Sequence, residues 1–521
     1  MRLFILSVAG WVVISLPLQG AVSLPGVFGN NMVLQRDRPL PVWGKAAPGE
    51  SVSVDFAGQT KTATADADGK WRVTLDPLPA DKTGRNLTVR GANECVFTNV
   101  VVGEVWLCSG QSNMEWTVDK AANKQSEKAA ANFPEIRHFQ VARAISAFPK
   151  TDVTGKWEVC SPQTVGGFTA VGYFFARDLL AELGVPIGIL HSSWGGTPIE
   201  VWVDPATVAV VPEWADLQAK LLAASPASPE GLARHKQYLE DLKKWTDAAE
   251  ISLAEGSPLA EPPEAPWTTG FRPQETQLHH GMINPLVPYG IRGALWYQGE
   301  SNGFEGGIYA GKLRGLIEGW RGVWGQGDFP FYIVQLANYG KVKESEAVRG
   351  RSWAEVREAQ LKALSLRNTG VAVTIDVGDS TDVHPINKQD VGKRLARLAL
   401  AGTYGKNIEP CGPIYRGSRV EGNKMRISFD HAKSGLMIGT KNGLAPVTPD
   451  PDASLKWITI AGEDRVFKPA SAVIERGELV VSAEDVPTPA AVRYAYVQDP
   501  AGANLYNQDG LPASPFRTDS W

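Results

Sequence analysis

This chain of 521 residues has few cysteines and no excess of either charge. Lys and Arg number 52 against 56 Asp and Glu, a formal net charge of −4. A protein that tracks a nucleic-acid backbone or a polybasic membrane-surface protein carries a cationic excess, so this balance argues against both. The four cysteines are Cys95, Cys108, Cys160 and Cys411. None forms a CxxC pair and no HxxxH lies nearby, so zinc-ligand spacing is missing and no metal is expected. Cys108, inside the apolar run VWLC, reads as a buried strand residue. Past the N-terminus no apolar run is long enough to cross a membrane. No internal repeat is convincing. Long disordered tracts are also unexpected, because 43% of residues are hydrophobic and 21% charged, enough to bury a sizeable core.

What is present begins with a leader. Arg2 supplies a positive start, Leu3 to Leu16 an apolar stretch, and Gly20 or Ala21-Val22-Ser23 a small-residue cleavage site. Residues 1–23 therefore read as a secretory signal peptide. No Cys follows the apolar stretch, which argues against a lipoprotein anchor. The expected location is periplasmic or extracellular, with no membrane contact after the leader is removed. In such an oxidising compartment four cysteines allow three full pairings, and their spacing does not choose among them.

The length suggests two to four domains. Residues 24–98 show short strand-like runs, such as SVSVDF (51–56) and KWRVTL (70–75), punctuated by turn signals including APGE and DADG. They predict an N-terminal β-sandwich module. From residue 99 apolar runs alternate with helix-period segments. The runs are 99–108, 185–193, 291–299, 328–337 and 369–378; the helical segments include 170–183, 309–320, 353–364 and 387–400. This alternation predicts an α/β domain over 99–411, a flavodoxin-like parallel sheet with helices on both faces. Residues 205–275, rich in Ala, Pro and Glu, interrupt it as a helical insertion. Residues 412–521 read as a C-terminal β-rich region.

Open parallel sheets place their sites at the carboxyl ends of strands. The first run ends in CSGQSNM, with Ser112 on the turn; the second ends in HSSWGGTPIE, with Gly195 and Gly196. The third ends in WYQGESN, with Gln298, Glu300 and Asn302, and the fifth in DVGDSTDVHP, with Asp382 and His384. A serine at a strand-to-helix turn, glycine amides and a late Asp/His pair compose a hydrolase.

These same residues resemble the sialate O-acetylesterase family, carbohydrate esterases related to SGNH hydrolases. The similar stretches are LPGVFGNNMVLQRDRPLPVWGKAAPGE, GEVWLCSGQSNMEW, GIRGALWYQGESN, DVHPINKQDVGKRLA and NLYNQDGLPASPFRTD, running from about residue 24 to the C-terminus. The resemblance implies an SGNH-like fold and removal of acetyl groups from sugar hydroxyls without a cofactor. It implies Ser112 as nucleophile, His384 as general base and Asp382 as the acid that orients it. The family's Asp usually stands three residues before the His, where this chain has Thr381, so Asp379 and Glu300 remain alternatives. The expected oxyanion donors are the N–H groups of Ser112 and Gly196 and the side chain of Gln298 or Asn302. Gln111, Asn113 and Glu300 are expected to support them. Trp116 and Trp194 are expected to stack on sugar rings; Trp296 is at least as consistent with core packing.

The expected partner is an O-acetylated glycan, sialylated or from the plant cell wall. A non-catalytic carbohydrate-binding protein is the competing reading, and the intact Ser112, Asp382 and His384 set argues against it. Ser380 in Gly378-Asp379-Ser380 spells a lipase-like nucleophile block, but it belongs after the first strand with its histidine far downstream. A GxSxG elbow is also absent around Ser112, since Met114 holds its last place, which disfavours an ordinary lipase.

Overall fold

The computed structural model describes residues 21–208, 211–265, 274–340 and 352–521. Residues 1–20, most of the expected leader, lie outside the described residues. The fold is already formed at Val22, which is buried and exchanges hydrogen bonds with the Asn93 side chain, while Ser23 pairs with Lys45. Val22 and Ser23 are thus engaged with the fold although they lie within 1–23, the expected leader.

The N-terminal strands form two sheets. Leu40–Lys45 pairs with Lys70–Leu75, and Ser51–Phe56 lies between Gln59–Thr64 and Asp81–Arg90. Strict alternation directs Trp71, Val73 and Leu75 inward and Lys70, Arg72 and Thr74 outward. Asp81–Arg90 then pairs with β1 (Glu94–Gly110). β1 is 17 residues long and serves two sheets. Its first residues form the edge of the N-terminal module, and from Val100 onward it is buried throughout as the central strand of the α/β core. The 98/99 boundary expected from sequence thus falls inside one strand, and no linker separates module from core.

The core strands are β1, β2 (Ile136–Gln140), β3 (Trp157–Val159), β4 (Ile187–Ser193), β5 (Gly293–Tyr297), β6 (Phe331–Val334) and β7 (Thr369–Ala372). Their spatial order is β7-β6-β5-β1-β4-β2-β3, all parallel except β3. The five runs read from sequence lie in the order second-first-third-fourth-fifth across this sheet. β2 and β3 were not expected: IRHFQ carries an arginine and a histidine, and WEV is too short to show a period.

Both faces of the sheet are covered, and β5 shows this most directly. Ala294 and Trp296 join one apolar cluster with Leu313, Leu316 and Trp320, whereas Leu295 and Tyr297 join another with Phe174, Val391 and Leu395. Helices α3 (Gly306–Trp324) and α4 (Ser352–Lys362) lie on the first face; α2 (Ala170–Leu183) and α5 (Lys388–Gly402) lie on the second. Within 205–275 the longest helices are Ala215–Ala224 and Pro229–Glu255; the latter has Gly231 as its one buried residue.

The C-terminal strands form several antiparallel sheets. They share a core with the chain just past β7, since Val373 and Ile375 pack with Ile427, Leu479 and Tyr494. Arg357 of α4, fully buried, donates to the carbonyls of Leu336, Ala337, Val497 and Gln498 and so ties core to C-terminal region. The protein is a mixed α/β structure with one large mixed sheet and a C-terminal β-rich part.

Candidate active site

β1 ends in a turn that only glycine can make. Gly110 has φ 138°, and a Cβ there would lie 2.1 Å from the Tyr297 carbonyl oxygen. The chain then turns into the short helix α1 (Ser112–Glu115), which presents Ser112 at the carboxyl end of the sheet. His384 arrives from the loop between β7 and α5. Its Nε2 is 2.9 Å from the Ser112 Oγ, a hydrogen bond between residues 272 apart in sequence.

Asp382 is the carboxylate at His384. Its Oδ1 accepts the His384 backbone N–H at 2.8 Å and lies 3.2 Å from Nδ1. Asp379 is engaged elsewhere, accepting the Thr381 N–H and hydroxyl, and those bonds hold its carboxyl below the usual range. Glu300 accepts from Asn113 instead. Asp382 is 57% exposed and His384 28%. An orienting carboxylate so open to water acts weakly. Ser380 makes its backbone contact with Gly340 and shows no histidine partner among the described residues.

A family model described as carbohydrate esterase, sialic acid-specific acetylesterase, matches residues 267–401, a span that includes His384. Sialate O-acetylesterase of Mus musculus is 29% identical over 94% of this chain and 92% of its own. That of Homo sapiens is 26% identical over 94% of this chain and 91% of its own. The solved structure of a carbohydrate acetylesterase from Xanthomonas citri is 35% identical, covers 96% of this chain and 100% of its own, and superposes with a TM-score of 0.78. The chain belongs to the sialate O-acetylesterase family of carbohydrate esterases.

In this family member the surroundings of Ser112 differ from expectation at two points. Gln298 and Asn302 are not free to donate to an ester oxygen. The Gln298 amide donates to Asn302 Oδ1 at 2.7 Å and to the Thr197 carbonyl at 3.3 Å, and its own oxygen accepts from the Tyr309 hydroxyl. The Asn302 amide donates to Glu200 and Glu305, while its oxygen accepts the Ile199 N–H. Both side chains are buried, and their hydrogens are spent within the loop after β5 and on tying it to the segment after β4 and to Glu305 at the start of α3.

The second difference concerns the glycines. Gly195, not Gly196, packs against the serine: a Cβ on Gly195 would lie 3.1 Å from Ser112 Cβ and 3.0 Å from a Glu115 oxygen. The Gly195 N–H is taken by Glu115 at 2.9 Å, and Glu115 is paired with Arg143. Gly196, at φ 72°, keeps an N–H without a partner among the described residues, as does Ser112. These two backbone groups are the donors still available.

Trp116 and Trp194 each have their ring in contact with a neighbouring side chain. The Trp116 ring lies on the His384 imidazole, with centroids 4.9 Å apart and planes at 14°. The Trp194 ring carries the Arg143 guanidinium at 5.0 Å. Trp296 is fully buried, edge-on to Trp202 and Trp320, and is core.

The supporting residues converge beneath the serine. Gln111 Oε1 accepts the Ser301 N–H at 3.2 Å. Asn113, 1% exposed, donates to Glu300 at 2.5 Å and to the Val383 carbonyl, next to His384, at 2.9 Å. Its oxygen accepts from Lys388 at 2.5 Å. Sequence reasoning missed Lys388, Glu115 and Arg143. A signal for Lys388 existed: it stands three residues before Val391 and seven before Leu395, on the apolar face of α5. The C-terminal region reaches this spot too, where Lys441 pairs with Asp390 at 2.6 Å and the Gly443 carbonyl accepts from Asn387 at 3.2 Å. Among the described residues no cluster of three or more His, Cys, Asp or Glu is placed to hold a metal, and all four cysteines are unpaired.

Proposed function

We propose that the chain is a carbohydrate O-acetylesterase that works through an acetyl-serine intermediate on Ser112. The observation that carries this reading is the hydrogen bond from Ser112 to His384 across two loops at the carboxyl end of the sheet. His384 Nε2 accepts the serine proton as Oγ attacks the acetyl carbonyl, and the carbonyl oxygen gains the negative charge. The N–H groups of Ser112 and Gly196 meet that charge; each such donor stabilises the transition state by about 3 kcal/mol. Collapse breaks the bond to the sugar oxygen, which takes the proton back from His384 and leaves as an alcohol. Water, deprotonated by His384, then attacks the acetyl-serine, and acetate departs with Ser112 restored. Asp382 stabilises the imidazolium between these transfers.

The strand order of the five runs supports an SGNH-hydrolase-like core. The leader supports export to the periplasm or beyond. Val22, packed into the N-terminal module, favours cleavage at about residue 20 over cleavage after Ser23. The acetyl ester is carried by a sugar hydroxyl, with O-acetylated sialic acid the first substrate to try and acetylated xylan or xyloglucan the second. Acetate release from p-nitrophenyl acetate, then from this glycan panel, tests the reading. Ser112→Ala and His384→Ala each lose at least about a hundredfold in kcat/KM; full activity in either variant refutes the assignment.

A further inference from the structure

Lys388 sits in an environment that a lysine seldom occupies. It is fully buried, and its ammonium has one side-chain hydrogen bond, to Asn113 Oδ1. The faces of Tyr297 and Trp116 lie 5.2 and 5.8 Å away. No carboxylate comes within ion-pair distance among the described residues. Glu300, a half-buried residue, turns a carboxyl inward that accepts from Asn113 on one oxygen, while the other oxygen is shielded from solvent and has no partner among the described residues. The two opposite charges are thus separated by one neutral amide. Burial acts on both: it pulls the Lys388 amine down to about 7 and pushes the Glu300 carboxyl up.

Burying two ionisable groups is costly, and a direct ion pair would recover more of that cost. The arrangement here instead spends both charges on orienting Asn113. With Lys388 donating to its oxygen and Glu300 accepting from its nitrogen, the amide has one orientation, and its remaining N–H points to the Val383 carbonyl. Asn113 directly follows Ser112, and Val383 directly precedes His384. We propose that Lys388 and Glu300 are positioning residues for the reaction, which polarise Asn113 from opposite sides and so lock the serine turn to the histidine loop. This rests on the catalytic reading of Ser112 and His384.

Neither residue touches the reacting atoms, so the effect belongs in kcat and in serine reactivity, with KM little changed. The test uses the full chain with Lys388→Met, Glu300→Gln and the double variant. Four quantities are measured: kcat and KM on p-nitrophenyl acetate, the thermal midpoint, and the rate at which a fluorophosphonate labels Ser112. Lys388→Met should lower kcat and the labelling rate together by about 30-fold, with KM within about twofold. It should also lower the midpoint, because Glu300 is left buried without a counter-charge. The double variant, neutral at both ends, should recover the midpoint but not kcat, and it serves in place of Lys388→Met should that variant not fold. A kcat within twofold of the parent in a folded variant overturns the proposal, as does recovery of kcat together with the midpoint, which would mark the pair as merely structural. Failure of the fluorophosphonate to label Ser112 in the parent protein overturns the catalytic reading itself, a result separable from the other two.

Discussion

Among the described residues two serine–histidine side-chain pairs are hydrogen-bonded, and they differ in everything except chemistry. Ser112 and His384 meet at 2.9 Å from loops 272 residues apart. Ser193 and His191 meet at 2.6 Å from the same face of β4, two residues apart. The second pair has the shorter bond, yet both residues are buried, at 0% and 1% exposure, and the other ring nitrogen of His191 has no partner among the described residues. The first pair is partly open to solvent, has a carboxylate behind its imidazole and has a serine whose backbone N–H has no partner among the described residues. Hydrogen-bond length therefore does not identify a nucleophile. Access, a third partner and donors for the developing charge do.

The hardest test of this contrast is to remove each serine. Ser112→Ala should abolish acetate release to the at least hundredfold loss expected above, with the thermal midpoint little changed because the hydroxyl is at the site surface. Labelling by a fluorophosphonate should vanish with it. Detectable labelling of Ser193 in that variant would break the distinction drawn between the two pairs.

The next contrast is in acid. Burial holds His191 and His279 down to about 3, and lowers His138 and His280 as well. An unfolded histidine binds its proton near 6.5. Above that pH both states are neutral and the burial has no pH-linked cost. As pH falls from about 6.5 toward 3, the unfolded chain takes up protons that the folded chain refuses, so stability drops by about 1.4 kcal/mol per pH unit for each such histidine. Urea unfolding at pH 7, 6 and 5 should show this slope. In His191→Gln the slope should shrink by about that one increment, whatever the substitution does at pH 7. An unchanged slope would mean that His191 is protonated in the folded state.

A smaller effect is expected at Asp382. The carboxylate lies within reach of His384 Nδ1 but is largely exposed, where water screens its charge. Asp382→Asn should lower kcat/KM by about tenfold, well short of the serine or histidine loss, an increment of about 1.4 kcal/mol in keeping with an exposed charge. Asp379→Asn should stay within about twofold, since Asp379 only braces Thr381. A reversal of these two would move the orienting role to Asp379.

Much of this site is legible in the amino-acid sequence. Alternating apolar runs and helix-period segments predicted a sheet whose strand ends collect Ser112, Gly195, Gly196, Gln298 and His384, and family resemblance sharpened the roles. What escaped reading has physical causes. The change read at residue 98 is a real one, from the alternating ECVFTN to the apolar VVVGEVWLC, but the same strand runs on through it, so it marks the passage of β1 from edge to buried central strand and not a linker. Gln298 and Asn302 looked like donors because an amide in a loop has the right chemistry, and only the structure shows Thr197, Glu200 and Glu305 consuming their hydrogens. Lys388 was hidden by its residue type, since a lysine in an amphipathic helix is ordinarily assigned to the wet face.

The smallest expected effect on catalysis is Ser193→Ala, and it cuts the comparison most finely. The deletion leaves His191 in its buried place with neither ring nitrogen bonded. An unsatisfied buried polar group costs about 1–3 kcal/mol, so the unfolding midpoint should fall. β4 is hydrogen-bonded to β1 over its whole length, from Ile187–Glu104 to Ser193–Gly110, and Gly110 makes the turn that presents Ser112. If catalysis depended on the fit of β4 beneath that turn, the loss of one hydroxyl would reach kcat. The turn, however, is held independently by Tyr297 on the other side of β1 and by the Asn113 bonds to Glu300 and Val383. The expected result is a lowered midpoint with kcat/KM within about twofold at 25 °C. A larger fall in kcat/KM, with the protein still folded, would show that the sealed pair is coupled to the open one through the strand that joins them.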